Sequence, residues 1–404
     1  MLLRLLIACL CVAAVTAAGA RESPLKESPP TDPPRRETPR REPPLSALTL
    51  VGPARTVFKA GRDACDGHDV PDAPARAFRE ADGGIALFGM HYRNRAFRGR
   101  DFDSLKLDCR VVLDSAFKPE PEAFDDRSWI AATWTEDGRT VEALLHEEYH
   151  ADDYGRCRTK GALACWYNAV LAARSPDGGR SFTRASPPTV VAAVPFRQEV
   201  EQGRHRGFFN PSNIFSDGRH RYFYASTTGW AGQPFGVCLF RSDDVSDPAR
   251  WRAFDGRDFS ARFPNPYLKG AKPTGSCAPV APFPAPVGSV SRHRGTGAWI
   301  AVFQAAAGGV FPRPGIYWST SRNLTTWDAP RLLIAGPTLY DDPCTSGGEL
   351  VSYPSLVDPA APGRNFDTVG DTATLFYVTL KTKGCEVTSD RDLVRRPVAV
   401  KVWP

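Results

Sequence analysis

Beyond its first twenty residues the sequence has no long hydrophobic run, so no membrane-spanning helix is expected. Outside those residues it has no Cys-x-x-Cys, which leaves a thiolate zinc site without its usual ligand spacing. Helix-length periodic patterns are few. Charge of one sign is scarce too: the formal net charge is +6 over 404 residues and the basic side chains are scattered, so no nucleic-acid partner is expected. No cofactor and no metal are implied.

What is present begins with residues 1–20, where Arg4 precedes an apolar run from Leu5 to Val15 and Ala18-Gly19-Ala20 offers small residues for cleavage. This is the pattern of a secretory signal, and it predicts a secreted or periplasmic protein. Leu6-Ile-Ala-Cys9 loosely matches a lipidation box, with a very short apolar region before it; export follows either way. Residues 21–46 are rich in proline with mixed Arg and Glu and have almost nothing to bury, so they are expected to form a disordered, semi-extended linker. Residues 47–404 are then left as the folded domain, expected to be monomeric.

Eight cysteines follow the signal, an even number that in an exported chain argues for disulfides. Pairing of sequence neighbours gives Cys65–Cys109, Cys157–Cys165, Cys238–Cys277 and Cys344–Cys385, although spacing alone does not determine connectivity.

Residues 127–182 organise the rest. They hold three β-rich runs, Ser128 to Trp134, Thr140 to His150 and Cys165 to Arg174. The first two are separated by Glu136-Asp-Gly-Arg139, whose Asp-Gly favours a tight hairpin. The third closes on Ser175-Pro-Asp-Gly-Gly-Arg-Ser-Phe182. Looser copies recur. Pro74, Pro211, Pro279 and Pro354 each head an apolar run, a second run follows each one, and a third follows in most. Five such units predict an all-β, five-bladed β-propeller, with the lead-in from Leu48 to Phe58 adding an outer strand to the last blade. Six blades is the alternative if residues 183–210 form a further unit.

The S-x-D-x-G-x-x-F turn at Ser175 to Phe182 resembles the Asp-box of sialidase-like propellers. The repeat architecture, over about 350 residues, resembles the five-bladed β-propeller glycosidase superfamily of arabinanases and invertases. That resemblance implies a glycoside hydrolase with an acidic residue on the first inner strand, where Asp69 or Asp72 stands, and a Glu further round the ring as acid. The matching inner strand of the third unit has Asn213 and no carboxylate, so the acid is sought in Glu147 or Glu148. No Arg-Ile-Pro segment and no complete arginine triad is present, which counts against a true sialidase.

The reaction class follows from the residue types. Two carboxylates facing across a funnel suit glycosidic cleavage, one protonating the leaving oxygen while the other attacks or activates water. Arg76, His91, Arg93, Asn94, His146, Trp166, Asn213 and Tyr353 are the expected substrate-binding groups, with aromatics stacking on the sugar and polar groups bonding its hydroxyls. Each has a structural alternative: Asp in a Pro-rich loop commonly closes turns, Arg76 can pair with a neighbouring Asp, Asn213 can satisfy buried backbone, and Trp166 can pack beside Cys165. A non-catalytic carbohydrate-binding propeller is the second reading. The third is a zinc metalloprotease, since His146-Glu147-Glu148-Tyr149-His150 is literally H-E-x-x-H, which on a helix would bind zinc through both His with Glu147 as base. Against it, the segment falls where the repeat calls for a strand.

Overall fold

In a computed structural model of the chain, the structure describes residues 45–185, 187 and 189–402; the signal at 1–20 and most of the linker lie outside them. Strands make up nearly all the regular structure, beside one four-residue α-turn and four 3-10 turns among the described residues.

The described strands form four hydrogen-bonded sheets. The largest takes in two successive antiparallel groups joined by the parallel pairing of Arg206–Phe209 with Trp166–Ser175; the groups are taken below as units in chain order. The first runs Pro71–Arg79, Ile85–Met90, Phe97–Gly99 and Lys106–Leu107. The second is Arg127–Trp134, Val141–His150 and Trp166–Ser175, edged by two short strands. The third is built on Arg221–Thr227 and Gly236–Ser242, the fourth on Val287–His293 through Arg331–Ala335, and the fifth on Glu349–Val357, Thr372–Lys383 and Glu386–Val402. Both Leu45–Leu50 and Arg55–Lys59 pair with Glu386–Val402, so the start of the domain completes its last sheet. This strand takes in Leu45 and Ser46, the end of the segment read as linker, because Leu45 is fully buried between the fourth and fifth units. Residues 183–210 form no sheet of their own: their strands pair with the second and third units.

The units pack face to face in succession. One apolar core lies between the first and second (Phe78, Phe88, Ile130, Leu145), and others between second and third (Trp134, Leu144, Phe223, Phe240), third and fourth (Tyr224, Leu239, Phe303, Tyr317) and fourth and fifth (Val302, Trp318, Leu375, Val398). The last returns from the fifth to the first through Phe58, Leu87 and Phe376. A sheet covered on both faces has no solvent side, which is why Ile85–Met90 is buried at every position. Burying each such large side chain contributes roughly 1.5–3 kcal/mol.

Polar side chains join the inner strands in the same order. Ile130 N donates to Asn94 Oδ1 (2.7 Å), Asn210 N to His146 Nδ1 (3.2 Å) and Val290 N to Asn213 Oδ1 (2.8 Å). Leu356 N donates to Ser289 Oγ (2.7 Å) and Ser355 Oγ to Ala75 O (2.7 Å), so the succession closes on the first unit. Arg76 lies where these strands converge, 3% exposed. Its guanidinium donates to Ala131 O (2.6 Å), Pro211 O (3.2 Å) and Ser355 Oγ (3.4 Å), linking the first unit to three others. This is a β-propeller arrangement.

Turn chemistry explains the local hairpins. Asp137 Oδ1 accepts the N–H groups of Arg139 and Thr140, both at 2.8 Å. Asp177 Oδ1 does the same for Arg180 and Ser181, while Gly179 N donates to Ser175 Oγ (2.8 Å) and Phe182 packs edge-on against Phe88 of the first unit. All four neighbour disulfides form: Cys65–Cys109, Cys157–Cys165, Cys238–Cys277 and Cys344–Cys385.

Candidate functional site

In the first two units the second strand runs antiparallel to the first; His91 follows its end in the first unit and His150 ends it in the second. Side chains alternate along a strand, so His146, Glu148 and His150 share one face of Val141–His150, and Glu147 and Tyr149 the other. On the first face Glu148 lies between the two imidazoles: His146 Nε2 is 2.8 Å from Oε1 and His150 Nε2 is 2.9 Å from Oε2. His146 Nδ1 accepts the N–H of Asn210, so its proton resides on Nε2, toward Glu148. Burial alone would raise the pKa of Glu148; the hydrogen bonds from His146 and His150 outweigh it and hold the carboxyl at about 2.

Asp72 forms the other half. A break in register between Pro71 and Arg76 lifts it out of the regular ladder. There it accepts from Tyr353 Oη (3.1 Å) and from Arg391 Nη1, and His91 Nε2 lies 3.5 Å from its second oxygen. Tyr353 has φ +56°, a left-handed conformation costly for a bulky residue, and Asn210 has φ +49°. Both stand directly before the proline heading an inner strand, and each is held by a polar contact: Tyr353 N on Gln304 Oε1 (2.7 Å), Asn210 N on His146. Burial, then the neighbouring Asp72 charge, raises the Tyr353 phenol well above its ordinary value, so it donates to Asp72 as a neutral hydroxyl.

Aromatic rings connect the halves. Trp129 is edge-on to His91 (5.4 Å between centroids) and tilted against His146 (5.5 Å). Burial lowers the pKa of His91, opposed by Asp72, whose second oxygen lies 3.5 Å from its Nε2. On the far side Trp166 is stacked between His150 (5.3 Å) and His205 (4.3 Å), side chains of three neighbouring strand positions. His205 reaches this place because Gly207 lets the third unit's first strand pass close to Asn168: a Cβ there would lie 2.0 Å from Asn168 O. Burial holds His205 at about 4, opposed by Glu148 and assisted by His146 and His150.

The expected site residues therefore divide. Asp72, Glu148, His91, His146 and Tyr353 gather at one cluster, with the edge of Trp166; both indole faces are covered by imidazole rings, so Trp166 is no open platform. Asp69 points away: its buried carboxylate accepts from Cys65 N (2.8 Å), Asp66 N (2.9 Å) and Arg95 Nε (2.7 Å), anchoring the loop. Glu147 faces the opposite side of its strand, 2% exposed, accepting from Asp126 N (3.0 Å) and Ser128 Oγ. Burial pushes its carboxyl up to about 8, against the Ser128 bond. Arg76, Asn94 and Asn213 join units, as above, and Arg93 pairs with Asp66 (3.1 Å) and Asp114 (3.7 Å). The metalloprotease geometry is not formed: residues 141–150 are strand, both His embrace Glu148, and Glu147 lies on the other face.

Arg391, Trp129 and His205 complete the cluster without having been singled out. Arg391 comes from the final hairpin, 319 residues from Asp72, with no motif to mark it. His205 precedes Gly207, the one local signal of a close backbone approach.

Fold and site together define an all-β propeller with a polar, histidine-rich cluster where its inner strands meet. No protein-family model matches the sequence, and no curated relative matches it. Among solved structures, the α-L-arabinofuranosidase PaAbf62A from Podospora anserina is similar at 9% identity, covering 89% of this chain and 98% of that one, with a TM-score of 0.45. A thermostable family-43 glycoside hydrolase is similar at 12% identity, covering 83% and 97%, TM-score 0.39. An exo-1,5-α-L-arabinanase from a bovine ruminal metagenomic library is similar at 11%, covering 83% and 96%, TM-score 0.38. Likenesses this distant transfer no residue role.

Proposed function

We propose that the chain is an exported five-bladed propeller that binds a poly- or oligosaccharide at the Asp72–Glu148 cluster and hydrolyses its glycosidic bond. One observation carries the reading: of the four candidate carboxylates, Asp72 and Glu148, from different units, contact histidines that pack on one indole, His91 and His146 on Trp129, while Asp69 and Glu147 face structural networks. Asp72, held between Tyr353, Arg391 and His91, is assigned as base or nucleophile. A carboxyl held at about 2 is no proton donor at neutral pH. The proton-donor role is therefore assigned to His150, whose side chain is 22% exposed and whose Nε2 lies 2.9 Å from Glu148 Oε2, which orients the ring. Trp129 supplies an apolar surface between the halves.

Export is supported by the four disulfides and the pattern of residues 1–20. The test is incubation with a panel of plant and microbial cell-wall polysaccharides. Released reducing ends are expected from the wild type, and Asp72→Asn should lower the rate by about three orders of magnitude or more while the protein stays folded. An Asp72→Asn variant as active as the wild type overturns the assignment.

A second reading, glycan binding without cleavage, is favoured by both carboxylates already having partners, Asp72 in Arg391 and Glu148 in two histidines. Retention of a polysaccharide with no released ends selects it.

A further inference from the structure

A cavity of 430 Å³ opens between the third and fourth units, walled by Phe209, Phe235, Pro286, Phe311 and Tyr340, with Ala306 on its rim. No charged side chain lines it. Two polar side chains do: Tyr340, 45% exposed, and Ser226, 4% exposed, whose hydroxyl is buried with no hydrogen-bond partner. Buried hydroxyls are ordinarily satisfied, and leaving one unpaired costs on the order of 1–3 kcal/mol, so an apolar chamber with one such group suits an apolar guest carrying one polar atom. Four of the walls are aromatic rings, which favour another ring through stacked and edge-on contacts.

The chamber adjoins the polar cluster on two sides. Phe209 packs against His205 (5.1 Å), itself stacked on Trp166. Next to Tyr340, Leu339 N donates to Ser352 Oγ (3.1 Å), and Ser352 adjoins Tyr353, which donates to Asp72. The chamber also sits where the second strands of its units end, at Thr227 and Ala305, as His91 and His150 follow or end those of the first two.

We propose that this cavity seats an aryl group bearing one hydrogen-bonding substituent, attached to the sugar held at Asp72 and Glu148; the attachment rests on the glycan reading above, the aryl site itself does not. The chain would thereby prefer aryl-substituted saccharides over unsubstituted ones, with Ser226 receiving or donating the bond to the ring substituent.

The test needs no sugar. Calorimetric titration of the full chain with 2-naphthol is expected to show binding that Ala306→Phe weakens by about tenfold through filling the chamber. Ser226→Ala, which removes one atom and leaves the fold intact, is expected to weaken it by about three- to tenfold. Asp72→Asn and Glu148→Gln should leave 2-naphthol affinity unchanged, so a failed glycan reading does not disturb the outcome. The saturated analogue decahydro-2-naphthol is expected to bind more weakly. Absence of 2-naphthol binding to the wild type, affinity unmoved by both cavity variants, or equal affinity for the saturated analogue overturns the proposal.

Discussion

The main-chain N–H of Asn210 donates to Nδ1 of His146 at 3.2 Å, joining the third unit to the second and leaving the other imidazole nitrogen to face Glu148. Asn210 holds a left-handed backbone before Pro211 to make this bond. The tautomer of a histidine in the candidate site is thus set by the backbone of a neighbouring unit. Side-chain ¹⁵N NMR should find His146 with its proton on Nε2, as a resonance absent from His146→Gln; a proton on Nδ1 would contradict the arrangement.

Glu148 makes stability depend on acid. Its folded pKa of about 2 lies below the ordinary value of 4.5, so its contribution is complete above pH 4.5 and is lost as pH falls toward 2. That contribution is at most roughly 3 kcal/mol. Glu148→Gln is expected to be less stable than the wild type at pH 6 and to converge with it near pH 2, measured by urea unfolding across pH. A constant difference over that range would argue against the paired carboxylate.

Glu147 should behave in the opposite sense. Its folded pKa of about 8 lies above 4.5, so the stability it contributes is present below pH 4.5 and is lost as pH rises through 8. Glu147→Gln keeps a neutral side chain whose amide oxygen still accepts from Asp126 N while its N–H group donates to Ser128 Oγ. The expected result is a melting temperature that falls less than the wild type's between pH 5 and 9, with hydrolytic activity retained.

Asp69 and Asp72, three positions apart, separate structure from chemistry. Asp69→Ala leaves Arg95 and two N–H groups without their buried partner and is expected to cost about 3–5 kcal/mol in unfolding free energy, activity per folded molecule being kept. Asp72→Asn is expected to show the reverse pattern. Thermal melts alongside rates on a reactive polysaccharide distinguish the two.

Gly207→Ala is expected to be severely destabilising, because the new Cβ would meet Asn168 O at 2.0 Å where the second and third units pair, with φ +133° besides. A variant melting within a few degrees of the wild type would mean that the parallel pairing of Arg206 and Gly207 with Tyr167 and Asn168 is dispensable.

Much of this was readable along the chain. Alternation of β-rich runs with Asp-Gly turns, present at 137–138 and repeated behind Pro74 and Pro211, pointed to the strands and their antiparallel order, since hairpin chemistry is local. Pairing of neighbouring cysteines, which spacing alone leaves open, is the connectivity formed, because each disulfide closes a single unit or its immediate flank. The helical alternative for residues 141–150 also failed on local grounds, Glu136-Asp-Gly-Arg139 having already set a hairpin.

Only the tertiary structure decided which polar groups meet. Asp69 and Asp72 look alike in sequence, as do Glu147 and Glu148. Period-two alternation sends Glu147 and Glu148 to opposite faces, but which face looks toward the cluster depends on how the neighbouring units pack. Asp72 is turned toward Arg391 by a register break that no local motif announces, and Arg391 arrives from the far end of the chain. Arg76, Asn94 and Asn213 have the composition of ligand-binding residues, yet where inner strands converge, backbone groups need partners and these side chains supply them. Local chemistry shaped each unit; the closing of five units on one another selected the carboxylates that share a site.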